Sequence, residues 1–152
     1  MNRCEKAHAY HKQGYNCAQS VICAFSDLTG LSMEQCLAVS GGFGGGVGGS
    51  HDELCGAISG GIMVLSLLHP HLESSNKDTK RDLYKITKEF RKRYQETFNG
   101  LTKCGDLLRA HPGLSEKTPA AAALELKAHC DIMVVTSVQI VEEMLAEEAA
   151  EN

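Results

Sequence analysis

Seven of the nine residues from Gly41 to Gly49 are glycine, and no other stretch limits the fold so firmly. Glycine weakens a helix by about 1 kcal/mol per residue relative to alanine and is also unfavourable inside a strand. The segment is therefore a loop, with several turns at positive φ and exposed backbone amides. It leads into Cys55-Gly56-Ala57-Ile58-Ser59-Gly60 and then the apolar run Ile62 to Leu68. A thiol thus stands where a permissive backbone enters a buried helix, a place suited to metal or redox chemistry. Gly44, Gly46 and Gly49 also spell G-x-G-x-x-G. A dinucleotide fingerprint needs a preceding strand and a βαβ setting, and the sequence offers neither.

Elsewhere the periodicity is helical. A first helix is predicted over about Arg3 to Gln13, stopped by Gly14. Asn16-Cys17-Ala18-Gln19 is a variant capping box that opens a helix to about Leu28, with Gly30 as its stop. Ser32-Met33-Glu34-Gln35 repeats the signal for a short helix ending at Gly41. Asp52 is expected to cap a helix carrying Cys55 at its third position and running to about Leu68, where His69-Pro70-His71 ends it. After a polar loop, Leu83, Ile86, Phe90 and Tyr94 mark a long amphipathic helix over about Asp78 to Phe98. A short helix around Leu101 to Ala110 carries Cys104 and is expected to break at His111-Pro112-Gly113. Thr118-Pro119 opens the last helical region, which holds Cys130 and absorbs the β-branched Met133-Val134-Val135-Thr136. The fold class is all-α: a single-domain helical bundle over residues 1–152, of five to seven helices, with the acidic end 146–152 expected to fray.

The 152 residues are enough for a core without disulfide staples. With no Trp and 5% aromatics, that core must come from Leu, Ile, Val, Met and Ala. The net charge of −4 and the lack of a long basic block speak against a nucleic-acid or membrane partner. No apolar h-region follows the polar start and no run reaches the ~20 residues of a membrane span, so a cytoplasmic protein is expected. In that compartment seven cysteines point to thiols, metal ligands or redox groups rather than structural disulfides.

Cys17 and Cys55 both fall at helix starts, where free N–H groups favour thiolate. The competing reading is that each is a small buried apolar residue. Cys104 stands near the beginning of its short helix, and Cys130 inside or near the start of the final one. Cys23 is about 240° around the helix from Cys17 and reads as core, as does Cys36; Cys4 is a weak, exposed candidate. No C-x-x-C or H-E-x-x-H is present, so any metal site must be assembled from distant segments. Four thiolates would suit Zn²⁺ or an iron–sulfur cluster. Among the histidines, His51 and His129 are possible supporting groups because they neighbour Cys55 and Cys130. His8 and His11 read as a surface pair. Gly56 and Gly60, four apart, let another helix approach Cys55.

Cys17 in Gly14-Tyr15-Asn16-Cys17-Ala18, the glycine-rich lead-in Gly41 to Gly46, Cys55-Gly56-Ala57-Ile58-Ser59-Gly60, Cys104 and Cys130 together resemble a family of redox-active proteins named for a C…CGAxxG…C…C signature. The resemblance spans about Arg3 to Glu143. It is also similar to the helical domain of split-Soret cytochromes, with which an iron–sulfur cluster has been associated; the chain has no haem-attachment motif, so cytochrome function does not carry over. The resemblance implies redox activity at Cys17, Cys55, Cys104 and Cys130. These would converge either as an iron–sulfur cluster site or as a thiol/disulfide electron carrier with a redox partner protein. The supporting loop would be Gly44, Gly45, Gly46 and Gly56. The alternative from a different class is a zinc-stabilised or metal-free helical binding module, including a homodimer.

Overall fold

The computed structural model describes residues 1–114 and 118–152. Its helices are α1 (Arg3–Lys12), α2 (Cys17–Cys23), α3 (Ser26–Thr29), α4 (Met33–Ser40), α5 (Gly56–Leu68), α6 (Lys77–Thr97), α7 (Cys104–Leu114), α8 (Pro119–Ala123) and α9 (His129–Glu151). A 3₁₀ turn, Gly41–Phe43, begins the glycine loop. Among the described residues there is no strand, only one isolated antiparallel bridge between Leu54 and Lys103. The all-α reading therefore holds, with nine α-helices among the described residues where five to seven were expected. No helix is long and apolar enough to cross a membrane among the described residues.

α9 is the axis of the bundle. Every residue from Ile132 to Val138 is buried, so this stretch is covered all round, as a helix apolar on every face must be. It packs against α1, α2, α5, α6 and α8. The β-branched cluster 133–136 is helical because it sits in this core, where tertiary burial outweighs local strand preference.

α2 lies close against α5 because α5 has no side chains in the way. A Cβ on Gly60 would sit 2.8 Å from the Ala18 carbonyl oxygen and 2.9 Å from Val21 Cβ; one on Gly56 would sit 3.2 Å from Cys17 Cβ. The small-residue stripe thus has the structural role expected of it. Ser137 Oγ of α9 donates to the Ala57 carbonyl at 2.7 Å, fixing the other side of α5.

Several boundaries differ from the sequence reading. The helix expected over 16–28 divides at Ala24 and Phe25 into α2 and α3, and Phe25 is fully buried where the chain turns. α7 starts at Cys104 and runs through Pro112 to Leu114. Proline removes one N–H donor from a helix, but here it stands in the last turn and is exposed, so the carbonyl it leaves unpaired can turn to water. The last helical region is two helices, because Glu125 takes a positive φ of 53° after α8. α9 continues to Glu151 instead of fraying from 146; Glu147 meets Arg93 and Glu148 meets His69, which ties down its acidic end.

Candidate functional site

All four cysteines singled out by sequence stand at helix N-termini. Cys17 is the first residue of α2, behind the Asn16 cap whose side chain accepts from Gln19 N. Cys55 is the N-cap of α5. Cys104 opens α7 and Cys130 is the second residue of α9. Cys55 therefore lies three positions earlier in its helix than the Asp52 cap implied. The reason is local. Leu54 bridges Lys103, and Cys55 N donates to the Thr102 carbonyl at 2.9 Å, so the backbone stays extended up to Cys55.

The glycine loop is what brings Cys104 to this place. Cys104 N donates to the Glu53 carbonyl at 2.9 Å and Gly105 N to the His51 carbonyl at 2.8 Å. Gly46 has φ +71°, and a Cβ there would fall 2.6 Å from Cys104 Cβ; any other residue would push α7 away. Gly44 backs directly onto the Asn16 side chain, while Asn16 Nδ2 donates to the Gly41 carbonyl at 2.9 Å. Gly45 turns the chain at φ +59° beside Gly49. The loop thus touches both the cap that precedes Cys17 and the start of the helix that carries Cys104.

The thiols differ in access and in charge. Cys17 and Cys55 are buried, at 8% and 4% exposure, whereas Cys104 and Cys130 are half-buried. The Cys17 and Cys130 thiols influence each other so that ionisation is favoured at one sulfur only. That sulfur is Cys130. The Cys17 thiol, with some help from nearby His11, brings its pKa down to about 6 despite burial and Asp131. Cys17, holding the proton and deeply buried, is pushed far up. Burial moves Cys55 up to about 11, against the backbone N–H groups of Ala57 and Ile58 and the Tyr94 hydroxyl, which all favour its thiolate. Cys104 is also raised, by burial and then by Cys130. Charge on Cys130, Cys55 or Cys104 is felt at Cys17, so the four sulfurs share one electrostatic neighbourhood.

The surrounding groups are partly those expected. His51 turns from Cys55 and places Nδ1 3.3 Å from Cys104 Sγ. His129, beside Cys130, packs edge-on against His111 with ring centroids 5.3 Å apart. Both Nδ1 atoms are buried without a partner, and burial followed by the His111 charge takes the His129 pKa down to about 4. His8 and His11 are not a free surface pair: both reach Asp131, next to Cys130. Cys4 is half-buried against α9, its Sγ 3.8 Å from the Val135 carbonyl, with its pKa raised to about 12 by burial. Cys23 and Cys36 are core, as expected.

Sequence reasoning missed Tyr94 as a site residue. It is wholly buried, its hydroxyl donates to the Met133 carbonyl at 3.2 Å, and it lies 4.0 Å from Cys55 Sγ. A lone phenol on the apolar face of an otherwise Leu, Ile and Phe stripe was the available signal, since a buried Tyr hydroxyl needs a partner. His11, which acts on Cys130, and His111, which packs on His129, were also missed; nothing in their local spacing marks them.

Four thiolates are a donor set for a cluster or for tetrahedral zinc. Among the described residues, however, no three His, Cys, Asp or Glu side chains are gathered so as to hold a metal ion. The donor chemistry suits a soft metal and the arrangement does not.

Neither the curated proteins nor the solved structures contain a match to this chain. The family described as "Putative redox-active protein (C_GCAxxG_C_C)" matches residues 15–144, which takes in all four cysteines and leaves out α1. Its printed signature places Gly before Cys, whereas this chain reads Cys55-Gly56-Ala57. With that local difference, the match covers α2 to most of α9, and the chain belongs to this redox-active family.

Proposed function

We propose that the protein is a thiol/disulfide electron carrier in which Cys17 and Cys130 form the working pair. What supports this reading is the packing of α2 on α9, with Cys17 and Cys130 at the starts of the two helices, together with a half-buried Cys130 lowered in pKa and a buried Cys17 raised. The low-pKa, accessible member of such a pair is the attacking group. Cys130 thiolate attacks one sulfur of a substrate disulfide and expels the other as a thiolate, giving a mixed disulfide. Cys17 then attacks Cys130 Sγ, forming the Cys17–Cys130 disulfide and releasing the second substrate thiolate. The one proton held by Cys17 and one taken from water end on the two substrate thiolates, and two electrons have passed to the substrate. A dithiol donor returns the pair to its reduced form by the reverse exchange. Cys55 and Cys104 are both shifted toward the protonated thiol, and Cys104, with His51 against it, is the second accessible thiol.

The test is a trap. Cys17→Ser should accumulate a stable mixed disulfide at Cys130 when treated with oxidised glutathione, while Cys130→Ser should accumulate none at Cys17. Equal labelling of both, or of neither, overturns the assignment. The mutual influence of all four thiols favours one other reading, an iron–sulfur cluster or zinc held by Cys17, Cys55, Cys104 and Cys130 after rearrangement. Anaerobic purification with stoichiometric iron and sulfide, or with zinc, would support it against the dithiol.

A further inference from the structure

We propose that α6 and the end of α9 form a self-complementary surface through which two copies of this chain associate about a two-fold axis; the argument is independent of the thiol chemistry. The outward face of α6 is basic. Lys77, Lys80, Arg81, Lys85 and Lys88 surround the exposed Tyr84 in one shallow hollow, and Arg91 and Lys92 extend the stripe. At ~100° per residue these positions fall within an arc of about 140°. Seven of the chain's 15 Lys and Arg residues thus lie on one face of a helix in a protein of net charge −4. All seven are exposed. Arg81 and Lys92 have partners within the helix; the other five make no ion pair among the described residues, Lys80 lying instead over the Tyr84 ring.

Such a row is unfavourable on its own, because like charges at i,i+4 destabilise a helix. What could offset it lies alongside. A second hollow, sharing Lys85 with the first, is lined by Asp82 and Glu89 of α6 and by Glu147, Glu148 and Glu151 of α9; Glu89 and Glu147 pair with Arg93 and Glu148 with His69 in the same hollow, which leaves Asp82 and Glu151 without an ion pair among the described residues. A basic band and an acidic band therefore run side by side. A two-fold axis passing near Lys85 would lay each basic band on the partner's acidic one, as an isologous contact requires. The acidic band also sets this surface apart from a polyanion site, since a phosphate backbone would run against those carboxylates. Residues 77–92 span about 22 Å of helix, and two helices packed ~10 Å apart give a patch of roughly 400–500 Å². That is well below the ~1,000 Å² of a stable specific interface, so the dimer rests on charge complementarity and should be weak and salt-sensitive.

Sedimentation equilibrium at ~100 µM is the test. The wild-type chain should approach the dimer mass in 25 mM salt and the monomer mass in 500 mM salt. Lys80→Glu/Lys88→Glu and Asp82→Lys/Glu151→Lys should each be monomeric while keeping the wild-type circular dichroism. Their equimolar mixture should regain the dimer, because both contacts are then complementary again. A wild-type monomer at low salt overturns the proposal, as does a dimer that ignores the charge swaps. A monomer retained on immobilised duplex DNA through the same lysines would also overturn it, in favour of a polyanion surface.

Discussion

Removing the Cys17 thiol tests how Cys130 is activated. In Cys17→Ala, Cys130 loses the largest influence that lowers its pKa from the ordinary thiol value to about 6, and burial and Asp131 then oppose ionisation. The pKa should return to about 8.5 or above. At pH 7 the thiolate fraction would fall from about 0.9 to about 0.03, some 30-fold. The rate of attack on a small disulfide would fall much less. Intrinsic nucleophilicity rises with pKa at a Brønsted slope of about 0.4–0.5, which over ~2.5 pH units returns a factor of about 10–18. The net loss at pH 7 is only about two- to threefold, so a single-pH rate is a poor assay. The midpoint of the pH–rate profile is the informative quantity. Peptide-resolved labelling of Cys130 between pH 4.5 and 9.5 should give a midpoint near 6 in the wild type and above 8 in Cys17→Ala. Cys17→Ser, which keeps a hydroxyl donor, should fall between. An unchanged midpoint in Cys17→Ala would refute the shared proton.

Three further outcomes can be checked by other means. Gly60→Ala gains about 1 kcal/mol of helix propensity, but its Cβ meets the Ala18 carbonyl and Val21 on α2; overpacking of about 1–3 kcal/mol should prevail, lowering Tm by a few degrees, and a raised Tm would mean that α2 yields freely. Tyr94→Phe removes a buried hydrogen bond to Met133 and a stabiliser of the Cys55 thiolate, so it should cost about 0.5–1.5 kcal/mol in denaturant titration and slow Cys55 alkylation further. The folded pKa of His129 lies below its unfolded value, at about 4, so its contribution is present above about pH 6.5 and is lost as pH falls toward 4, where the unfolded chain binds the extra proton. His129→Gln should flatten the loss of stability over that window, and an identical acid slope would contradict the burial argument.

How far the fold could be read from sequence follows from which signals are local. Asn16 with Gln19 and Ser32 with Gln35 both form capping boxes in the structure, because each needs only four consecutive residues. The Gly56 and Gly60 stripe was legible for the same reason. The start of α5 was not, since Cys55 is held extended by Thr102 and Leu54 by Lys103, nearly fifty residues away. His51 was placed beside Cys55 on sequence proximity, yet its positive φ of 65° and the α7 start turn it to Cys104. Tyr94 reached Cys55 only through the packing of α6 on α5. Four helix starts were partly visible; that Cys17 and Cys130 influence each other depends on α2 and α9 lying together, which no local pattern encodes.

The central claim is that Cys17 and Cys130 are the redox pair. The most direct measurement is disulfide mapping by non-reducing peptide mass spectrometry, after anaerobic purification and graded oxidation in a glutathione buffer. The account predicts that the first bond to form is Cys17–Cys130, with Cys23 and Cys36 remaining as free thiols. A different first pairing, or four signature cysteines protected from oxidation by a bound metal, would contradict it.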